Sequence, residues 1–167
     1  DQKDYAVCFG VEPEIWQKAE DNQYVPETLL TETEIRMPGG HLTITQLIAL
    51  LNTIPMEITF VDVDNINRFF NEGPKDFKRP GMAIDREVFS CHPPKIEATV
   101  RRIIGEFRAG ALDEVPIWMD KNGKCMLVRY MAVRDKEGKY LGTLELVQDM
   151  GFAKEHFQPE KRQEEIW

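Results

Sequence analysis

Apolar residues recur at helical spacing in two stretches of the chain and at alternate positions in five others. Over residues 43–52, Leu47, Leu50 and Leu51 form a stripe; Thr43 can cap the start and Gln46 stands three residues on, as in a capping box. Pro55 blocks continuation of that helix. Over residues 94–108, Ile96, Val100, Ile103, Ile104 and Phe107 share one face opposite Glu97, Arg101, Arg102, Glu106 and Arg108, and Gly110 supplies the stop. This is the clearest helix of the chain.

The alternating segments predict strands. Residues 57–63 set Ile58, Phe60 and Asp62 against Thr59, Val61 and Val63, Asp64-Asn65 supplies a turn, and residues 66–70 return as a second strand. Residues 115–119, 125–133 and 140–147 give three more, separated by Asp120-Lys121-Asn122-Gly123-Lys124 and Asp135-Lys136-Glu137-Gly138-Lys139. Asn122-Gly123 is a hairpin signal, so these three form an antiparallel meander. Between residues 71 and 94 the pattern is irregular, with turns at Gly73-Pro74 and Pro80-Gly81 and short helices expected at residues 75–77 and 85–89. Such a stretch is either poorly ordered or a binding loop wrapped on a sheet, and Phe77, Met82, Ile84, Val88 and Phe89 favour the second.

The ends read differently. Residues 1–40 carry Phe9, Ile15, Trp16, Tyr24 and Leu29-Leu30 at irregular spacing and end at Met37-Pro38-Gly39-Gly40, a break that closes an N-terminal arm or linker. Residues 151–167, with Phe152, Phe157, Ile166 and Trp167, form a C-terminal tail with an amphipathic helix broken at Pro159. Residues 41–150 then form one domain, which suits a chain of 167 residues. Residue 1 is not Met, so the chain is expected to be part of a longer protein, with adjoining domains as partners.

Charge narrows the partners. With 21 Lys and Arg against 29 Asp and Glu, the net charge of −8 opposes nucleic acid and anionic lipid. The apolar run between Leu47 and Val63 is interrupted by Pro55, Glu57 and Asp62, so no membrane segment is expected. Three cysteines without a CxxC pair give neither a disulfide framework nor a zinc site, and a cytoplasmic location follows as the default. His41, His92 and His156 stand in unlike contexts, and no HExxH, GxSxG, GxGxxG or Walker A pattern is present. The chain is not expected to be an enzyme.

Two strands, an irregular crossing, a long helix and a three-stranded meander resemble the order of a PAS domain. The resemblance rests on Leu50-Leu51-Asn52-Thr53-Ile54-Pro55 leading into Ile58-Thr59-Phe60-Val61-Asp62, and on Cys91-His92-Pro93-Pro94-Lys95. Arg129-Tyr130, Ala132-Val133-Arg134-Asp135 and Tyr140-Leu141-Gly142-Thr143-Leu144-Glu145 complete it. Within PAS domains it is similar to a bacterial subgroup found behind helical and hemerythrin-like domains. The resemblance implies an α+β fold, with a five-stranded antiparallel sheet, helices packed on one face, and a ligand pocket between the sheet and the long helix. PAS domains variously hold haem, flavin or small metabolites.

For that pocket, Phe60, Ile103, Phe107, Trp118, Leu127 and Arg129 are the candidate lining, with Phe69, Phe77, Met82, Val88 and Leu144 beside them; a dry core would use the same apolar set. Cys91 and His92 are the candidate cofactor contacts, and His92 is the candidate metal ligand should the cofactor be haem. A turn-forming role for His92 and a packing role for Cys91 are the plainer readings. Arg129 is expected to pair with Glu145 across the sheet. The functional expectation is a sensory module that binds a small ligand or cofactor and relays through its terminal helices; the alternative is a ligand-free homodimerisation or domain-docking module.

Overall fold

The computed structural model describes residues 33–73, 75–77 and 81–157, with the side chains of Met82 and Cys91 left aside. Expectations on Phe9, Ile15, Trp16, Tyr24, Leu29-Leu30, Ile166 and Trp167 lie outside the described residues. The first element is a hairpin: β1 (Glu34–Met37) turns at Pro38-Gly39 into β2 (Gly40–Thr43). The Pro-Gly-Gly break is therefore the turn of a hairpin. Helix α1 (Ile44–Thr53) follows at once, with Thr43 as its cap and the reciprocal Thr43–Gln46 capping box in place.

A five-stranded antiparallel sheet carries the rest. Strands β3 (Glu57–Asp62) and β4 (Asn67–Phe70) turn at Asp64-Asn65, where Asn65 takes a positive φ of 66° and the Asp62 carboxylate accepts from the Asp64 and Ile66 amides. The crossing that follows contains two short 3-10 turns, Gly81–Ala83 and Val88–Cys91, and no helix at residues 75–77. Helix α2 (Pro94–Ala109) starts at Pro94, whose missing N–H costs nothing in a first turn, and ends at Gly110 in the left-handed region. Strands β5 (Glu114–Lys121), β6 (Lys124–Arg134) and β7 (Tyr140–Asp149) form the meander, and a short helix α3 (Gly151–His156) leaves it.

The strand order is β4-β3-β7-β6-β5, which sets β7 in the middle. Helix α2 buries Val100, Ile103, Ile104 and Phe107 against one face of this sheet, called here the inner face. The core divides into three clusters. Val61, Val88, Phe89, Val100 and Ile104 form the first, Ile103, Phe107 and Tyr140 the second, and Met126, Val128 and Val147 the third. Helix α1 buries none of its residues, and Leu50 on it is 48% exposed.

Candidate functional site

Strand register sorts every side chain to one face, because successive residues point to opposite sides. Val61, Val128, Val147 and Ile117 belong to the clusters under α2 or pack against them, so their parity is inward. On β7 the inward residues are Thr143, Glu145 and Val147, and the outward ones are Leu144, Leu146 and Gln148. The middle row of the inner face runs Phe70, Thr59, Glu145, Tyr130, Val115 across strands β4, β3, β7, β6 and β5. It is a belt whose centre, Thr59, Glu145 and Tyr130, is polar and whose ends, Phe70 and Val115, are apolar.

Glu145 sits on the central strand, opposite Thr59 of β3 and Tyr130 of β6. Val61 and Thr143 in the row above and Glu57, Val147 and Val128 in the row below are buried, whereas Glu145 and Tyr130 are only half-buried. Solvent thus reaches the middle of the inner face. Thr143 is satisfied locally, 2.7 Å from the Tyr140 hydroxyl.

The lower end of the inner face is held by a latch. Glu57, 7% exposed, accepts at Oε1 from the backbone N–H groups of both Asp76 and Phe77, fixing the start of the crossing to β3. Lys124 reaches Asp76 at 2.6 Å, and the Lys121 ammonium stands 3.4 Å from the centre of the Phe77 ring. The Asp76 carboxylate, followed by the weaker pull of Asp149, holds the Lys124 ammonium above its ordinary pKa despite some desolvation. Beside the latch a cleft of about 230 Å³ is lined by Asn52 to Met56, Glu57, Glu72, Gly73, Lys75, Asp76, Val147 and Asp149. It opens one row below the belt.

Asn71 joins this cleft to α1. Buried on β4's exit, its side-chain amide donates to the carbonyls of Leu51 and Met56, while its Oδ1 accepts from the Ile58 N–H and from Lys75. Asn52 and Glu72 exchange two further hydrogen bonds, at 3.0 and 3.1 Å. These bonds hold the end of a helix that buries little apolar surface.

The residues expected from the sequence divide between the faces. Ile103 and Phe107 are buried on α2 under the inner face, as are Val88 in the crossing and, half-buried, Phe77. Phe60, Trp118, Leu127 and Arg129 take the opposite parity and lie on the outer face, with Phe69 and Leu144 opposite Phe60. Trp118 is 64% exposed. The reason is a phase error of one residue: Trp118 alternates in step with Glu114 and Asp120, and Leu127 in step with Arg129. Arg129 therefore cannot meet Glu145, which opposes Tyr130; it pairs with Glu114 at 2.6 Å on the outer face. That hydrogen-bonded guanidinium lowers the Glu114 pKa.

His92 ends the second 3-10 turn, and its Nδ1 donates to the Val88 carbonyl at 2.8 Å. This is a turn-forming contact at the end of the site where Val88, Phe89, Val100 and Ile104 are closely packed. Among the described residues no group of three or more His, Cys, Asp or Glu is placed to hold a metal ion. No described helix is long and apolar enough to cross a membrane.

The sequence reading missed Glu57 and Asn71, and it valued Glu145 only as an ion-pair partner. The β7 pattern pointed the other way, since Leu144 and Leu146 look like the core side and Thr143 and Glu145 the solvent side. The available signal was a glycine inside the strand: at Gly142 a Cβ would lie 2.3 Å from the Val61 carbonyl oxygen, so β7 lies close against β3 there.

The comparisons with known proteins agree with this architecture. Residues 47–151 match the family model of the PAS domain. The chain is similar to the crystal structure of a C-terminal domain from Streptococcus mutans, with 37% identity and a TM-score of 0.72, covering 75% of this chain and 98% of that one. A PAS domain from Colwellia psychrerythraea matches at 14% identity and a TM-score of 0.46, covering 64% of this chain and 95% of that one. A sensory box sensor histidine kinase from Vibrio cholerae matches at 12% identity and a TM-score of 0.44, covering 62% and 88%. No curated protein matches. With the family model spanning most of the chain and the five-stranded sheet under α2 in place, the chain belongs to the PAS domain family.

Proposed function

We propose that this PAS domain is a sensory module that takes a small molecule between the inner sheet face and α2 and relays its presence through α1. A general sensory or regulatory role follows from the family. The ligand reading is carried by one observation: the polar parity of the central strand faces inward, and Glu145 and Tyr130 stay half-buried there between buried Val61 and Thr143 on one side and buried Glu57, Val147 and Val128 on the other. Local pattern and tertiary structure disagree at this strand, and such disagreements concentrate at functional sites. The relay is supported by how α1 is held. Its end is attached through Asn71 and Asn52 beside the cleft, and Ile48 and Leu50 on it are exposed. An element of this kind opens at low free-energy cost, so a ligand that favours one docked position shifts its population.

The similarity to a C-terminal domain supports the further reading that the module works beside other domains of a longer protein. Native mass spectrometry of the purified chain, alone and after exposure to a small-metabolite extract, tests the function. The expected result is a non-covalent adduct that changes hydrogen exchange at Ile44–Thr53. A second reading, self-association through the outer face, is favoured by the exposure of Trp118. It is selected instead if the protein carries no adduct and its mass doubles with concentration.

A further inference from the structure

Resting on the relay reading above, we propose that Lys124 is the junction that couples the crossing to both terminal helices, α1 and α3. The start of the crossing is the part that a molecule at the inner face would move. Phe77 packs against the third cluster, Met126, Val128 and Val147, so a molecule seated there meets its ring. Asp76, one residue earlier, is held by the Lys124 ammonium at 2.6 Å.

From Lys124, the first residue of β6, one connection runs to α3. Its ammonium also stands 3.9 Å from the carboxylate of Asp149, the last residue of β7. The other oxygen of that carboxylate accepts from the Gly151 N–H at 2.8 Å, at the first residue of α3, and the Met150 N–H donates to the carbonyl of Cys125, next to Lys124, at 2.7 Å. A second connection runs to α1. Lys75 donates to Asn71 Oδ1 at 3.3 Å, and the Asn71 amide holds the Leu51 carbonyl in the last turn of that helix. Glu57 closes the ring on β3: its side chain holds the Asp76 and Phe77 amides, and the N–H of its neighbour Ile58 donates to Asn71. The end of α1 and the start of α3 thus meet the crossing on the walls of one cleft, through Asn52, Thr53, Asp76 and Asp149.

Magnitudes agree with such a device. Lys124 is half exposed, so each of its ion pairs is weak taken alone. The helices it biases are weakly held too: neither α1 nor α3 buries a residue, so a small change at the junction is a visible fraction of what keeps them docked. Helix α2, with four buried residues, is held by packing instead.

Millisecond hydrogen exchange read by mass spectrometry tests this on the full 167-residue chain with no ligand added. Lys124→Gln should speed exchange in both Ile44–Thr53 and Gly151–His156 by about two- to five-fold and leave Pro94–Ala109 unchanged. Asp76→Asn should act in the same direction, and the double variant should go no further than Lys124→Gln, because both remove one interaction. Arg129→Gln, which breaks the ion pair of the outer face, should change neither helix. Acceleration in one helix only, in neither, or equally in α2 overturns the junction, as do additive effects in the double variant. Since no ligand is present, that outcome leaves the ligand reading to the adduct measurement, and a missing adduct with both helices accelerated leaves the junction standing.

Discussion

The two faces of the sheet are built from the same five strands and treat their residues in opposite ways. The outer face carries Phe60, Leu127, Leu144, Leu146 and Trp118 together with the Arg129–Glu114 ion pair, and Trp118 is left largely in water. The inner face carries Thr59, Glu145 and Tyr130 at its centre and is covered by α2. A sheet shaped by burial alone would turn its leucines under the helix and its carboxylate outward. The register instead sets Thr59, Glu145 and Tyr130 across the middle of the face that α2 covers.

The contrast breaks most sharply at Phe107, which is fully buried at 0% exposure and is the largest such side chain described. Phe107→Ala should cost about 3–5 kcal/mol in urea unfolding followed by circular dichroism, from lost burial and the cavity left behind. Gly142→Ala should cost about 2–3 kcal/mol, because the new Cβ would meet the Val61 carbonyl oxygen and the Phe60 ring and push β7 off β3. Asn71→Ala should cost about 2 kcal/mol by stranding the Ile58 N–H and two carbonyls, and it should speed hydrogen exchange in α1 more than in α2.

Smaller effects sharpen the comparison. Burial pushes the Asp62 carboxyl up, but the Ile66 amide, the Arg68 guanidinium and the Asp64 amide outweigh it and hold the pKa below its ordinary value of 3.8. A lowered folded value stabilises the protein above the unfolded pKa, and that contribution is lost as pH falls through the folded one. Asp62→Asn should therefore cost less than about 1 kcal/mol near neutrality, and its difference from wild type should shrink as the pH is taken below 3.8. Trp118→Ala, the change of largest volume on the outer face, should alter stability by no more than about 0.5 kcal/mol.

Much of this fold was legible in the sequence. The Thr43–Gln46 capping box, the stripe of α2 and the Asn122-Gly123 turn each state a local geometry, and each element formed where its signal lay. The faces of the strands were not legible in the same way. Parity depends on which side α2 occupies, which is a non-local fact, and large apolar residues at both parities made the wrong phase look sound. Glu57 and Asn71 act through backbone groups 13 to 20 residues away, and no local pattern announces such partners. Glu145 was visible as a residue and invisible as an interior one.

The most direct test of the central claim, that a small molecule is taken at the inner face under α2, is methyl-detected NMR of the chain before and after exposure to the small-metabolite extract. The account predicts saturable shifts at Ile103, Ile117, Val128 and Val147, with Leu127, Leu144 and Leu146 unmoved. Shifts confined to those three leucines, or none at any methyl, would contradict it.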